Sequence, residues 1–519
     1  MTIEKVKNSP LTHYALIAMI LVYIVLNLVT LDKYRIVHDD EGVLASSALS
    51  LSQFGLSYFD PNLSFNGPYK GVAIFPLSGF LFLSTLSAIG HFLGYGLYQM
   101  RLQPLFFSVV SLILTYIVSL VLFEDKKKAL LAVFFMGFSA KYIGLAHTVR
   151  QESMLITCIL GIVLLFLLGR REKNPVFIYY AAFLSGASIS IHANGVFLPL
   201  MLCFLLFGVY REFGKRFNRV FLGAFAFSIL GSLIFIFFDY FPHREYYWQL
   251  FNSNLLNGVT NSINGSISIE VLRSRLYNIW MTFFWESRYH RYMFYFALYV
   301  LSVLGALFFR RRAHIVLFLM LAYILIVILL LHESQFYFIY TVPFFSLLLS
   351  SVLIEMQNRF EALSIKRTLV SVGIIGVMVS YILLLAGTLL AYRNYDYSRQ
   401  IKLVKSVVGE NDKFISSDSY FFGFNSNINR YSHYLLYNYD LKRLMREMRI
   451  GFFILDSSSN SFLDTGKGSD YENSKRNLSF LNNECVIKLN FQEYNISIRN
   501  PVYTGRMNTV YDCGKLVGL

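Results

Sequence analysis

Three acids stand where the first long apolar run gives way to polar sequence, in His38-Asp39-Asp40-Glu41-Gly42, and Asp40 and Glu41 are the candidates among them. A carboxylate in that place can take a proton from a hydroxyl or hold a cation; the plain alternative is a solvated loop start. Ala45 to Phe54 then suits a helix, and Asn66-Gly67-Pro68-Tyr69-Lys70 reads as a turn, so the loop is long and organised, which favours function. Glu152 closes a second polar stretch, His147-Thr148-Val149-Arg150-Gln151-Glu152. Arg and Glu so close to apolar runs are costly unless paired or working. They read either as an interfacial pair that fixes a turn, or as a second carboxylate facing Asp40 with Arg150 on a phosphate or on Glu152. His192 and Asn194, in Ser190-Ile191-His192-Ala193-Asn194-Gly195, lie between two apolar arms of only about 15 residues, which reach roughly 22 Å. That turn is expected to be recessed and to line a substrate cavity.

Arg288, His290 and Arg291, in Trp285-Glu286-Ser287-Arg288-Tyr289-His290-Arg291, suit a phosphate group, although Trp, Tyr and Arg also anchor helices at a membrane interface. His332 and Glu333 form a similar, weaker turn. There is no metal motif of strict spacing, no phosphate-binding glycine loop and no nucleophile elbow. If a divalent metal is used, Asp40, Glu152 and His290 are the ligands expected; no cofactor is assigned otherwise.

The elements that must position these residues are membrane helices. Of 519 residues 55% are apolar and 15% charged, with 50 Phe and 36 Tyr, against about 25% charged in soluble domains. Long apolar runs recur from Leu11 to Tyr392, and about 20 such residues cross a bilayer core. The net charge of +15 does not point to nucleic acid, because Lys and Arg sit in short clusters between apolar runs, as the positive-inside rule expects. The run Leu11 to Leu31 is too long for a signal peptide and reads as a retained first span.

The basic clusters are Lys126-Lys127-Lys128, Arg170-Arg171-Glu172-Lys173, Arg211 with Lys215, Arg216 and Arg219, Arg310-Arg311-Arg312, and Arg359 with Lys366 and Arg367. Placing all of them in the cytoplasm requires hairpins 129–146 with 154–169, 177–191 with 195–210, 220–239 with 292–309, and 314–331 with 336–354. Segment 368–391 then leads the tail outside. Runs 11–31 and 102–123 already make one outward and one return crossing, so 71–95 is one crossing too many and is expected to lie at the outer interface. The predicted fold is an α-helical polytopic membrane protein of about 11 spans plus interfacial helices. Residues 1–396 form the membrane domain, with 33–100 as its first outer loop, and 397–519 form a small extracytoplasmic α/β domain. This topology, built from Lys and Arg clusters, gathers nearly all the unusual acids and histidines on the outer face.

Over about residues 11–354 the chain resembles the integral-membrane glycosyltransferases of the C-type fold, and among them glycosyltransferase family 39, which includes protein O-mannosyltransferases and the aminoarabinose transferases of lipid A. Asp40-Glu41 resembles the family's acidic pair, Tyr69-Lys70 its lysine region and Arg150-Gln151-Glu152 its second-loop Arg-x-Asp, with Glu in place of Asp. His192-Ala193-Asn194-Gly195 stands where the family has Thr-Lys-Gly or a His-containing variant. Phe336-Tyr337-Phe338-Ile339-Tyr340 with Pro343 resembles its late aromatic–proline helix start. The resemblance implies a polyprenyl-phosphate sugar donor (dolichyl or undecaprenyl), an extracytoplasmic acceptor hydroxyl on a protein, lipid or glycan, inversion at the anomeric carbon, and Asp40 as base. The late loop around His332 lacks the Lys or Arg that holds phosphate, which leaves Lys70, Arg150, Arg288 and Arg291 for that work. A transporter or flippase for lipid-linked glycans is the competing reading, but it is expected to show inverted repeats and midplane charges, and neither is evident. A polymerase or ligase with a diphosphate-linked donor has closely similar chemistry.

In the tail, Ser398 to Val408 and Asp440 to Met448 read as helices. Lys413 to Ser416, Gly451 to Asp456, and stretches near 484–491 and 508–513 read as strands. Its two cysteines, Cys485 and Cys513, each lie in a strand-like stretch on the side where oxidation is permitted, and are expected to pair.

Overall fold

The computed structural model describes residues 10–34, 37–55, 79–244, 291–309, 317, 321, 338–359, 364–392, 395–409, 411–424, 430–432, 441–455, 479–492 and 507–514. The bundle is built from α1 (Pro10–Thr30), α2 (Asp39–Phe54), α3 (Phe80–Leu93), α4 (Leu97–Phe123), α5 (Lys126–Gly137), α6 (Ala140–Ala146), α7 (Glu152–Arg171), α8 (Pro175–Ala187), α9 (Phe197–Gly208), α10 (Phe217–Phe235), α11 (Arg291–Phe309), α12 (Val342–Arg359) and α13 (Ser364–Ala391). Local signals set the ends. Asp125 caps α5 by accepting from the Lys127 and Lys128 amides, and Asn174 caps α8 with Pro175 in its first turn.

Six of the described helices are long and apolar enough to cross a membrane, or seven if a bent pair counts as one span. α3, at 14 residues, reaches about 21 Å, short of the roughly 30 Å core, which suits an interfacial helix better than a crossing. The arms flanking His192 are also short apolar helices, Pro175–Ser190 and Ala193–Gly208. One expected span is bent. Residues 129–146 are not straight: α5 and α6 meet at 66°, because the chain leaves the helix at Phe138 and restarts after Ser139. The expected span 314–331 falls almost wholly outside the described residues.

The outer helices turn apolar side chains outward, among them Leu11, Val25, Leu222, Phe225, Leu369 and Leu383, the surface that lipid covers. α7 and α12 are largely enclosed by their neighbours. Lys128, in the first of the basic clusters, is turned inward and pairs with Glu355, both buried.

The tail contributes α14 (Tyr397–Lys405), α15 (Leu441–Met448) and strands β1 (Phe414–Ser416), β2 (Arg430–Ser432), β3 (Phe452–Leu455), β4 (Val486–Gln492) and β5 (Met507–Asp512). They form one mixed sheet in the order β2-β1-β3-β5-β4, with β1 parallel to β2 and β3, and β5 antiparallel to β3 and β4. A disulfide joins Cys485 to Cys513, whose Cα atoms are 4.6 Å apart. The tail core also takes in a residue of the first outer loop: Val43 of α2 packs with Ile415, Tyr431, Phe453 and Cys513. Nearby, the Val37 amide donates to the Tyr395 hydroxyl at 3.2 Å. Helix α2 is therefore held between the membrane bundle and the tail.

Candidate active site

The site begins at the first turn of α2. His38 is its cap: the ring Nδ1 accepts from the Asp40 amide at 3.2 Å, while the Glu41 carboxylate accepts from the His38 amide at 3.1 Å. This reciprocal arrangement satisfies two helix-end donors and turns the neighbouring carboxylates in different directions. Asp40 is partly exposed. Glu41 is fully buried, held by the Arg101 Nε at 3.0 Å and Nη2 at 2.9 Å, and by the Val149 amide at 2.9 Å. Arg101, also fully buried, spends its Nη1 on the carbonyls of Leu31 at 2.8 Å and Tyr34 at 3.1 Å. A buried charge needs this degree of matching. Glu41 was expected beside Asp40 in the chemistry; the structure makes it part of the frame, tying the end of α1, the start of α2 and the turn before Arg150 to α4.

The next residue after Val149 reaches back to the site. Arg150 places Nη1 2.8 Å from Asp40 Oδ2, and Nε and Nη2 each 3.0 Å from Glu152 Oε1. One guanidinium thus bridges the two acids that the sequence separates by more than a hundred residues. Both acids sit in the first turn of a helix, where the macrodipole favours negative charge. Arg150 was expected on a phosphate or on Glu152; it lies on Glu152, and on Asp40 as well. Glu152 is buried and its Oε2 has no hydrogen-bond partner among the described residues. A buried carboxylate oxygen left unpaired is costly, and a substrate hydroxyl is a suitable partner for it.

His192 lies within electrostatic reach of Glu152 and Arg150. Its Nδ1 accepts from the Asn194 amide at 3.1 Å, so the neutral ring carries its proton on Nε2, and a second proton would set Nδ1–H against an N–H donor. Burial pushes its pKa down to about 4; Glu152 opposes that shift and Arg150 adds to it. Although the half-buried ring retains some exposure, the packing around it and the Asn194 donor both disfavour the cation, so His192 is neutral at ordinary pH. The Asn194 Nδ2 is buried with no partner among the described residues.

The structure therefore brings together Asp40, Arg150, Glu152 and His192. Lys70, Arg288, His290, His332 and Glu333 lie outside the described residues, as does the side chain of Arg291, whose backbone opens α11. Among the described residues no group of three or more His, Cys, Asp and Glu could hold a metal ion. Asp40 and Glu152 are two carboxylates already bridged by a guanidinium, which by themselves fall short of the oxygen-rich set a hard cation takes.

Two residues that matter here gave little signal in sequence. Arg101 precedes an apolar run and resembles an ordinary boundary residue. Asp239 ends another such run; it is buried, accepts from the Phe80 amide at 2.6 Å and hydrogen-bonds the Ser190 hydroxyl.

No protein-family model matches the sequence, and no curated protein matches it. Solved structures do match. ArnT from Cupriavidus metallidurans in the apo state superposes with a TM-score of 0.53 at 11% identity, covering 98% of this chain and 100% of that one. The chain has the fold of this ArnT structure. The same ArnT bound to undecaprenyl phosphate gives 0.52 at 10% identity, over 95% of this chain and 97% of that one. The oligosaccharyltransferase AglB from Archaeoglobus fulgidus, in complex with an inhibitory peptide and a dolichol-phosphate, gives 0.52 at 12% identity, over 86% and 70%. Coverage of ArnT extends through the tail, so the likeness includes the C-terminal domain and not the bundle alone.

Proposed function

We propose that this chain is a membrane glycosyltransferase of the family 39 kind. It moves a sugar from a polyprenyl-phosphate donor, dolichyl or undecaprenyl, to a hydroxyl of an extracytoplasmic protein, lipid or glycan, with inversion. The observation that carries the reading is the Arg150 bridge: it fixes two acids side by side at the starts of α2 and α7, in a fold shared with proteins whose structures hold polyprenyl phosphates.

In this reading the acceptor oxygen attacks the anomeric carbon opposite the phosphate. The bond from that carbon to the phosphate oxygen breaks, its electron pair leaves with the polyprenyl phosphate, and the acceptor proton passes to Asp40. Asp40 suits that role because Arg150 occupies only Oδ2, and among the described residues Oδ1 carries no partner. The free Glu152 oxygen and the Asn194 side-chain Nδ2 hydrogen-bond sugar hydroxyls. Lys70, Arg288 and Arg291 are the cations available to the departing phosphate, since Arg150 is already paired. Fixed charges placed where a leaving group gains negative charge often contribute more to catalysis than any other single effect. The site and the tail domain both face the extracytoplasmic side.

The test is to incubate purified protein with a panel of polyprenyl-phosphate sugars and candidate acceptors, and to measure polyprenyl phosphate release. Acceptor-dependent release from at least one donor is expected. Vectorial movement of intact donor across vesicles, without release, would establish the transporter reading instead.

A further inference from the structure

Asp239 is an acid at the end of an apolar helix with no part in the chemistry just described. It lies in the short π-helical segment Ile236–Tyr240 that continues α10, and it is buried. Such segments are rare and concentrate at functional sites. One oxygen accepts from the Phe80 amide, at the start of α3, and the other is bonded by the Ser190 hydroxyl. The same segment grips residue 80 a second way: the Phe80 and Phe238 rings stack at 4.5 Å. Residue 79 completes the junction. Its amide donates to the Ile191 carbonyl at 3.1 Å, and a Cβ there would come within 2.2 Å of the Ser190 carbonyl oxygen. Ser190 and Ile191 immediately precede His192.

We infer that Asp239 is a positioning residue, fastening the 190–194 turn against the start of α3 so that His192 and Asn194 are presented to Glu152 and Arg150. The inference rests on the transferase reading for its consequence in turnover, but not for its geometry. An acid suits the task because it accepts from a backbone amide and a hydroxyl at once, and those donors would otherwise be left unpaired in an apolar surrounding. Misplacement of a substrate-contacting turn by an ångström can cost as much as about 100-fold in rate.

Two readouts test it on the full-length protein in detergent. The first is the carbethoxylation rate of His192 by diethyl pyrocarbonate, read by mass spectrometry with the exposed His13 as internal reference. Asp239→Ala is expected to raise the His192 rate several-fold, and Asp239→Asn, which keeps an acceptor for the Phe80 amide, to leave it near wild type. If Asp239→Ala does not fold, Ser190→Ala, which removes one bond of the junction, takes its place. An unchanged rate in the folded variants overturns the inference. The second is a turnover cycle with His192→Ala. Asp239→Ala is expected to slow turnover by about 10- to 100-fold alone and to add little once His192 is gone. Multiplicative effects overturn the positioning role. If the wild type transfers no sugar from any donor, the transferase reading fails, and the carbethoxylation result still decides the inference.

Discussion

The Arg101 guanidinium meets both oxygens of the Glu41 carboxylate, at 3.0 and 2.9 Å, with neither side chain exposed to solvent. The same carboxylate accepts from the amide of Val149, next to Arg150, and from the amide of His38, whose ring in turn accepts from the Asp40 amide. The placement of Asp40 and Arg150 therefore leans on a pair buried behind them.

Breaking that pair leaves a buried charge uncompensated, at a cost of about 3–5 kcal/mol. Glu41→Gln and Arg101→Ala are expected to lower the thermal midpoint in detergent clearly. Arg101→Lys is expected to behave like the alanine variant, because an ammonium cannot reproduce the fork or reach two carbonyls as well. A Glu41→Gln protein that melts like wild type would show that something else holds α2.

The turn at His192 depends on a glycine for space. A Cβ on Gly195 would lie 2.1 Å from the Ser188 carbonyl oxygen, whereas one on Gly208 would meet nothing within 4 Å. Gly195→Ala is expected to cost about 1–3 kcal/mol and to depress turnover, while Gly208→Ala leaves both near wild type. Equal behaviour of the two variants would contradict the close packing of this turn.

His192 also sets a pH dependence. Its folded pKa of about 4 lies below the ordinary 6.5, so the folded protein refuses a proton that the unfolded chain accepts. Its contribution to stability is complete above about pH 6.5 and is lost as the pH falls towards 4. Thermal midpoints of wild type and His192→Gln are expected to converge across that window. A difference that stays constant from pH 7.5 to pH 4.5 would refute the shift.

The polar residues Asp40, Arg150, Glu152 and His192 were legible because charge beside apolar sequence is costly. What they touch was less legible. Spacing along the chain says nothing of a bond between Asp239 and Phe80, 159 residues apart. It also cannot tell that Glu41 turns inward while Asp40, one residue earlier, stays accessible. The tail strands β1, β3, β4 and β5 were readable from their apolar runs, but β2 has three residues and no alternation, so only its pairing with β1 reveals it. The kink between α5 and α6 falls at Gly137-Phe138-Ser139, a helix-ending glycine and a cap serine that the surrounding apolar run masks.

The pairing of Cys485 with Cys513, 28 residues apart, closes a loop for which chain entropy gives about 3–4 kcal/mol. Alkylation of unreduced protein followed by mass spectrometry is expected to leave both unlabelled while Cys203 takes the label under denaturing conditions. Labelling of Cys485 and Cys513 without reduction would rule out the bridge.

In the proposed reaction Asp40 takes the acceptor proton. Asp40→Asn keeps the shape of the side chain and a contact for Arg150 but removes the basicity. Turnover, measured as acceptor-dependent release of polyprenyl phosphate, is expected to fall by about 10²-fold or more, while binding of the lipid-linked donor, measured in parallel, persists. Near-normal turnover in Asp40→Asn would contradict the account.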